Sequence, residues 1–216
     1  MTHLSLEDLR EEYRRGALHE ANCETNPFRQ FAKWLTDAQA ADLKEPTAMT
    51  LSTATRDGRP SGRIVLLKEM TDSGFVFYTN YRSRKGREMA ENPAVALTFY
   101  WAELERQVRI EGRVSRVSPE KSEAYFRKRP KGSRLGALVS NQSSVLPNRG
   151  LLEAKLQQLE GIYKDTDDIP MPESWGGYCV EPDSFEFWQG RPNRLHDRLV
   201  YERGGGSDWT IKRLAP

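Results

Sequence analysis

Cysteine is almost absent from this chain, and histidine is scarcely more common. Cys23 and Cys179 are the two thiols in 216 residues, and His3, His19 and His196 are the three imidazoles. Two distant cysteines make neither a disulfide framework nor a metal-ligand spacing, and three scattered histidines argue against a histidine site, so no metal is expected. Long apolar runs are missing too: none approaches the roughly 20 residues needed to cross a bilayer. Nor is there an excess of one charge. With 33 basic and 31 acidic residues the net charge is +2, which gives no bulk electrostatic reason to bind nucleic acid. Residues Met1 to Asp8 have neither the basic start nor the apolar centre of a signal peptide, and the cytoplasm is the expected compartment. Cys-His and Ser-His-Asp arrangements, a P-loop and a dinucleotide glycine fingerprint are all lacking. Chemistry on a bound cofactor is therefore favoured over covalent catalysis by a side chain.

What is present reads as helices followed by hairpins. Ser5 can cap a helix running through Tyr13 to Gly16, and Asn26-Pro27 starts a second, with Phe28, Phe31, Leu35 and Ala38 as its apolar stripe. Residues 1–45 are thus expected to be helical. From Ala48 the period changes to that of strands: Ala48 to Thr55, an Asp57-Gly58 hairpin, a nearly continuous buried strand Arg63 to Lys68, then Phe75 to Thr79. A short helix begins near Ser83, strands follow at Ala94–Phe99 and Gln107–Val117, and Ser118-Pro119 opens a helix that Pro130 ends. Leu152, Leu156, Leu159 and Tyr163 mark another helix. Strands return at Tyr178–Val180, Phe185–Trp188, Leu195–Tyr201 and Trp209–Ile211, with Gly204-Gly205-Gly206 as a hairpin loop. Hairpins with helices between them predict one α+β domain over 1–216, built on an antiparallel sheet closing as a barrel.

Three constellations could carry chemistry. Read as a strand, Arg194-Leu195-His196-Asp197-Arg198 puts Arg194, His196 and Arg198 on one face. That face is either a charged edge or a wall for a planar, anionic small molecule beside Phe187, Trp188 and Gly190. Arg84 and Lys85 stand in the first turn after Ser83, where cations oppose the helix dipole unless a phosphate binds the free N–H groups. Tyr125 and Arg129, four residues apart with Gly132 and Ser133 in a following turn, form either a second phosphate pocket or a simple complement to a helix C-terminus. Arg63 and Lys68 point to opposite faces of their strand and should serve different partners. Gln107 and the polar loop Asn141-Gln142-Ser143-Ser144 offer hydrogen bonds to a heterocycle.

These residues resemble the pyridoxamine 5'-phosphate oxidase family. The resemblance runs through Arg63-Ile64-Val65-Leu66-Leu67-Lys68, Phe77-Tyr78-Thr79-Asn80, Ser83-Arg84-Lys85, Glu105-Arg106-Gln107-Val108, Gln142-Ser143-Ser144, Trp175-Gly176-Gly177, Phe185-Glu186-Phe187-Trp188-Gln189, Arg194 to Arg198 and Arg213-Leu214-Ala215-Pro216. It implies an antiparallel split β-barrel of the FMN-binding type with surrounding helices, and a homodimer with FMN between subunits. It also implies oxidation of pyridoxamine or pyridoxine 5'-phosphate by O2. By the same resemblance Arg63, Ile64, Val65, Leu66, Leu67, Lys68, Tyr78, Thr79, Arg84, Lys85, Gln107, Gln142, Ser143, Trp188 and Arg198 would contact FMN. Arg63, Arg84 and Lys85 would be its phosphate clamp. Lys68, Tyr125, Arg129 and Ser133 would hold the substrate phosphate, and Arg194 and His196 would be the catalytic pair over its ring. Arg10 and Tyr13 resemble part of a segment that folds over the substrate, making the first 20 or so residues a mobile lid, although Glu11 stands where a second basic residue is expected. The competing readings are another FMN-dependent oxidoreductase, a flavin-binding protein without B6 chemistry, and an RNA-binding module built on Arg82-Ser83-Arg84-Lys85.

Overall fold

Asn26 starts helix α1 (Pro27–Ala40) as its sequence suggests: its side chain accepts hydrogen bonds from the N–H groups of Phe28 and Arg29, and Pro27 takes the first helical position. The structure, a computed structural model, describes residues 12–204 and 208–216. After α1 come strands β1 (Ala48–Ala54), β2 (Pro60–Leu66), β3 (Glu69–Thr71) and β4 (Gly74–Asn80), helix α2 (Arg84–Glu91), and strands β5 (Ala94–Trp101) and β6 (Arg106–Arg116). Helices α3 (Pro119–Lys128), α4 (Lys131–Val139) and α5 (Gly150–Ile162) follow, then strands β7 (Trp175–Gln189), β8 (Asp197–Arg203) and β9 (Trp209–Leu214). Among the described residues these nine strands form one sheet, ordered β2-β1-β5-β6-β7-β4-β3, with β8 on β7 and β9 on β8.

Strand β7 changes partner along its length. Its first half runs antiparallel to β4, from Asn80↔Trp175 to Phe75↔Val180. Its second half runs antiparallel to β8, from Ser184↔Glu202 to Gln189↔Asp197. Pro182 lies between the two pairings; a residue without an N–H suits a place where the ladder is interrupted. Opposite this region Gly112 lets β6 come close, since a Cβ there would lie 2.1 Å from the Glu181 carbonyl oxygen.

The chain divides into two compact units. One comprises Met1–Ala48, Thr98–Ile110 and Asp183–Pro216. Its core is aromatic: Phe28 packs edge-on against Phe185, Phe31 against Phe99, Trp34 against Phe187 and Phe187 against Tyr201. Trp34 is buried and Leu35 only partly so, which moves the apolar stripe of α1 to Phe28, Phe31, Trp34 and Ala38. The other unit comprises Met49–Leu97 and Glu111–Pro182. There Phe126, Leu135, Ile169 and Trp175 form a core against which Leu156, Leu159 and Tyr163 of α5 and its C-cap pack.

Several expectations need correction. Residues 12–19 are not helical. Their backbone groups are spent elsewhere: the Arg15 N–H donates to Glu105, the Leu18 N–H to Asp197, and the Gly16 carbonyl accepts from Arg191. The start of that expected helix at Ser5, with Arg10 and Glu11, lies outside the described residues, as do Gly205 and Gly206 of the expected loop between β8 and β9. The Arg63–Lys68 segment is not a buried strand: β2 ends at Leu66 and Ile64 is 65% exposed. Gly132 and Ser133 are not in a turn but in the first turn of α4, because Pro130 ends one helix and caps the next. Among the described residues no helix is long and apolar enough to cross a membrane.

Candidate active site

An open cavity of about 520 Å³ lies within the second unit. Strand β2 contributes Ile64, Val65 and Leu66, the short link after it contributes Lys68, and β4 contributes Tyr78 and Thr79. Helix α2 gives Lys85, the end of α3 gives Tyr125 and Arg129, α4 gives Ser133, and the following loop gives Gln142. Eleven residues named from the sequence thus meet in one place. Trp175, Asn80, Gly136, Ala137 and Ser140 complete the lining.

One side of this lining is an aromatic stack. The Tyr78 ring lies on Tyr125 at 4.0 Å and on Trp175 at 5.4 Å, nearly parallel to both. The Arg129 guanidinium sits 4.8 Å from the centre of the Trp175 ring, a cation–π arrangement that holds it flat. Its Nη1 is buried with no hydrogen-bond partner among the described residues, a group that costs stability unless an anion reaches it. Burial lowers the Arg129 pKa, partly offset by Tyr125. Burial also pushes the Tyr78 phenol up to about 12, with Glu69 adding to the effect, so it stays protonated. Lys85, 9% exposed, donates to Thr79 Oγ1 at 3.3 Å and to Gln142 Oε1 at 3.1 Å, and pairs with no carboxylate among the described residues. Burial, then Arg63, lowers its pKa. A buried ammonium and an orphaned guanidinium N–H in one cavity fit ligands with anionic oxygens, as a flavin phosphate and a substrate phosphate would be.

Beside Lys85, α2 also carries Arg84 of the expected clamp, while Arg63 stands on β2. Ser83 caps the helix through the Gly86 N–H, and Ser143, held at φ 71°, accepts the Arg84 N–H at 3.1 Å. Fewer N–H groups are therefore free than the sequence suggests, and side-chain cations dominate. Arg63 lies outside the cavity lining. It donates to the Leu51 carbonyl, Thr53, Ser61 and Glu88, while Arg84 donates to Glu88 at 2.8 Å. Leu67 is buried, 5% exposed.

The remaining named residues lie in the first unit. Arg194, His196 and Arg198 do not share a strand face, because β8 begins only at Asp197. Pro192 opens a 3-10 turn in which Asn193 and Arg194 take φ of 57° and 60°, so alternation cannot extend back to Arg194. Trp188 stacks tilted against His196 at 4.7 Å, and Tyr13 meets both rings edge-on at 5.6 Å. Gly190 makes room for Tyr13, since a Cβ there would lie 2.7 Å from its ring. Arg198 forms a two-pronged pair with Glu186, Nε to Oε1 at 2.9 Å and Nη2 to Oε2 at 3.1 Å. Gln107 is half-buried near the start of β6. Sequence reading missed the acids Glu88 and Glu186. Both left a trace: Glu88 is four residues after Arg84, and alternation puts Glu186 on the Trp188 face.

His196 has a defined tautomer. Its Nδ1 accepts the Arg191 backbone N–H at 3.1 Å, so in the neutral ring Nε2 bears the proton. Burial, then the charge of Arg194, lowers its pKa from 6.5. An NMR titration is expected to give a midpoint below 6.5, moving upward in Arg194→Met as one of the two causes is removed. An unchanged midpoint would show that Arg194 does not act on the imidazole.

Comparison with known proteins shows the family. A family model described as pyridoxamine 5'-phosphate oxidase matches residues 35–163, and one described as the pyridoxine 5'-phosphate oxidase C-terminal dimerisation region matches residues 175–216. The pyridoxine/pyridoxamine 5'-phosphate oxidase of Thermosynechococcus vestitus is 57% identical over 209 residues, covering 97% of this chain and 98% of the relative. That of Trichormus variabilis is 54% identical over 212 residues, covering 98% and 99%. Among solved structures, PhzG from Burkholderia lata, in complex with tetrahydrophenazine-1-carboxylic acid, superposes with a TM-score of 0.87 at 33% identity, over 93% of this chain and 98% of that one. An FMN-binding protein from Nostoc punctiforme, 18% identical with a TM-score of 0.69 over 88% of this chain and 97% of that one, shares the fold. The fold is therefore the antiparallel split barrel expected from the sequence, and the chain belongs to the pyridoxine/pyridoxamine 5'-phosphate oxidase family.

Proposed function

We propose that this chain is an FMN-dependent oxidase that converts pyridoxamine 5'-phosphate and pyridoxine 5'-phosphate to pyridoxal 5'-phosphate, reducing O2 to hydrogen peroxide. The observation that carries this reading is a single cavity lined by two cationic sets, Lys85 with Thr79 and Gln142, and Lys68 with Tyr125, Arg129 and Ser133. A protein that bound only a flavin would need one of them. The names of the relatives, which match along almost the whole chain, support the same reaction.

In this reading the chain, residues 1–216, works in the cytoplasm as one FMN-binding domain of a homodimer, with FMN at the subunit interface. A C-terminal region matching a dimerisation model supports the dimer, as does Ile64, an apolar residue 65% exposed next to the clamp. Arg63, Arg84 and Lys85 hold the flavin phosphate. Ile64, Val65, Leu66, Leu67, Lys68, Tyr78, Thr79, Gln107, Gln142, Ser143, Trp188 and Arg198 complete the flavin site. Lys68, Tyr125, Arg129 and Ser133 hold the substrate phosphate, and Arg194, His196 and Tyr13 face its ring. Arg10 is assigned to the same lid, outside the described residues.

FMN, when bound, would supply a two-electron acceptor for the substrate carbon that bears the amine or alcohol, with O2 as the final acceptor. The chain's own residues orient that carbon and stabilise charge. Arg194 cannot act as a base, because a guanidinium keeps its proton; it orients the substrate and stabilises charge in the transition state. His196 presents its Nε2–H as a hydrogen-bond donor. Asp197 is structural: it accepts from the Leu18 N–H and Arg213. With the amine substrate, water then releases ammonia and the aldehyde. The test adds pyridoxamine 5'-phosphate to the FMN-loaded protein in air and follows aldehyde and peroxide together. One peroxide per aldehyde is expected; neither product, with FMN bound, would end this reading.

A further inference from the structure

Among the described residues Glu88 is the one acid paired with the arginines of the expected phosphate clamp, and the cavity chemistry does not use it. It is 5% exposed. Its Oε1 accepts from Arg84 Nε at 2.8 Å, and its Oε2 accepts from Arg63 Nη2 at 3.2 Å, from Ser61 Oγ at 2.6 Å and from Thr53 Oγ1. Burial would raise its pKa, but these hydrogen bonds and the Arg84 charge outweigh it and hold the carboxyl at about 2. It is a permanent anion. With Arg63, Arg84 and Lys85 the cluster holds three positive charges and one negative, a surplus of two that matches a phosphate monoester dianion.

We propose that Glu88 is the resident counter-anion of the flavin-phosphate clamp, holding its two arginines together before flavin binds and tempering their attraction for the phosphate. The proposal rests on the assignment of Arg63, Arg84 and Lys85 to the flavin phosphate. Arg63 has three further acceptors that are not Glu88, the Leu51 carbonyl, Thr53 and Ser61. Removing the charge without changing the shape therefore leaves that guanidinium in place and strips the repulsion between Glu88 and an incoming phosphate.

The experiment strips flavin from the full-length protein and titrates it with FMN and with riboflavin, which lacks the phosphate, reading quenching of flavin fluorescence and the melting temperature. Glu88→Gln is expected to melt lower than wild type without flavin, to gain more on adding FMN, and to bind FMN about tenfold tighter. Riboflavin affinity should stay within about twofold. Glu88→Asp, which keeps the charge, should keep the wild-type ratio of the two affinities. A ratio that stays constant or falls in Glu88→Gln overturns the proposal, as does a variant that fails to fold even with FMN. A wild type that binds FMN no better than riboflavin would instead overturn the assignment of the clamp.

Discussion

Replacing Arg194 by Met is expected to lower kcat for pyridoxamine 5'-phosphate by about 10²- to 10³-fold, the usual loss when a transition-state hydrogen-bond donor is removed, while FMN stays bound. The side chain is exposed, on a short 3-10 turn where its own φ is 60°. A position in the left-handed region carries a conformational cost for a residue with a Cβ. In a family enzyme this turn therefore presents the guanidinium at some expense. Met keeps the length of the stem and removes only charge and donors. Rapid-reaction kinetics without O2 would isolate the step; near-normal flavin reduction would refute the assigned role, and loss of FMN would reassign Arg194 to the cofactor.

Arg129→Met should act on the other half of the reaction, recognition. We expect KM for pyridoxamine 5'-phosphate to rise by about 10- to 100-fold with kcat within about threefold, since one charge-assisted hydrogen bond contributes about 1.5–3 kcal/mol. The orphaned Nη1 and the seat on Trp175 are the reason: the group is already desolvated and oriented, so little of the phosphate's binding energy goes into ordering it. Pyridoxamine without its phosphate should be turned over equally, and equally poorly, by both proteins. A parallel loss on both substrates would mean that Arg129 supports the aromatic stack rather than the phosphate.

Much of this could be read from local chemistry. Asn26-Pro27 and Ser118-Pro119 start helices because their caps and prolines act within four residues. Lys68, Tyr125, Arg129 and Ser133 were nameable by family resemblance, and their meeting in one cavity is a tertiary fact. What misled was also physical. Alternation through Arg194 to Arg198 ignores Pro192, whose ring forces a turn before the strand can start. A helical stripe through Tyr13 ignores Asp197, Glu105 and Arg191, which take over the backbone hydrogen bonds from positions more than 80 residues away. Apolar content made Ile64 look buried, although a single chain leaves it open.

The scarcity of thiols has a chemical consequence for an oxidase of this kind. Peroxide attacks thiolates, and thiolate abundance follows pKa and exposure. Cys23 and Cys179 are both free and only partly exposed, and burial raises the pKa of each. The buried Met49 and Met89, at 1% and 3% exposure, are likewise shielded. In the proposed reaction, which releases peroxide at every turnover, these two thiols and two thioethers are thus kept from ready attack by the protein's own product.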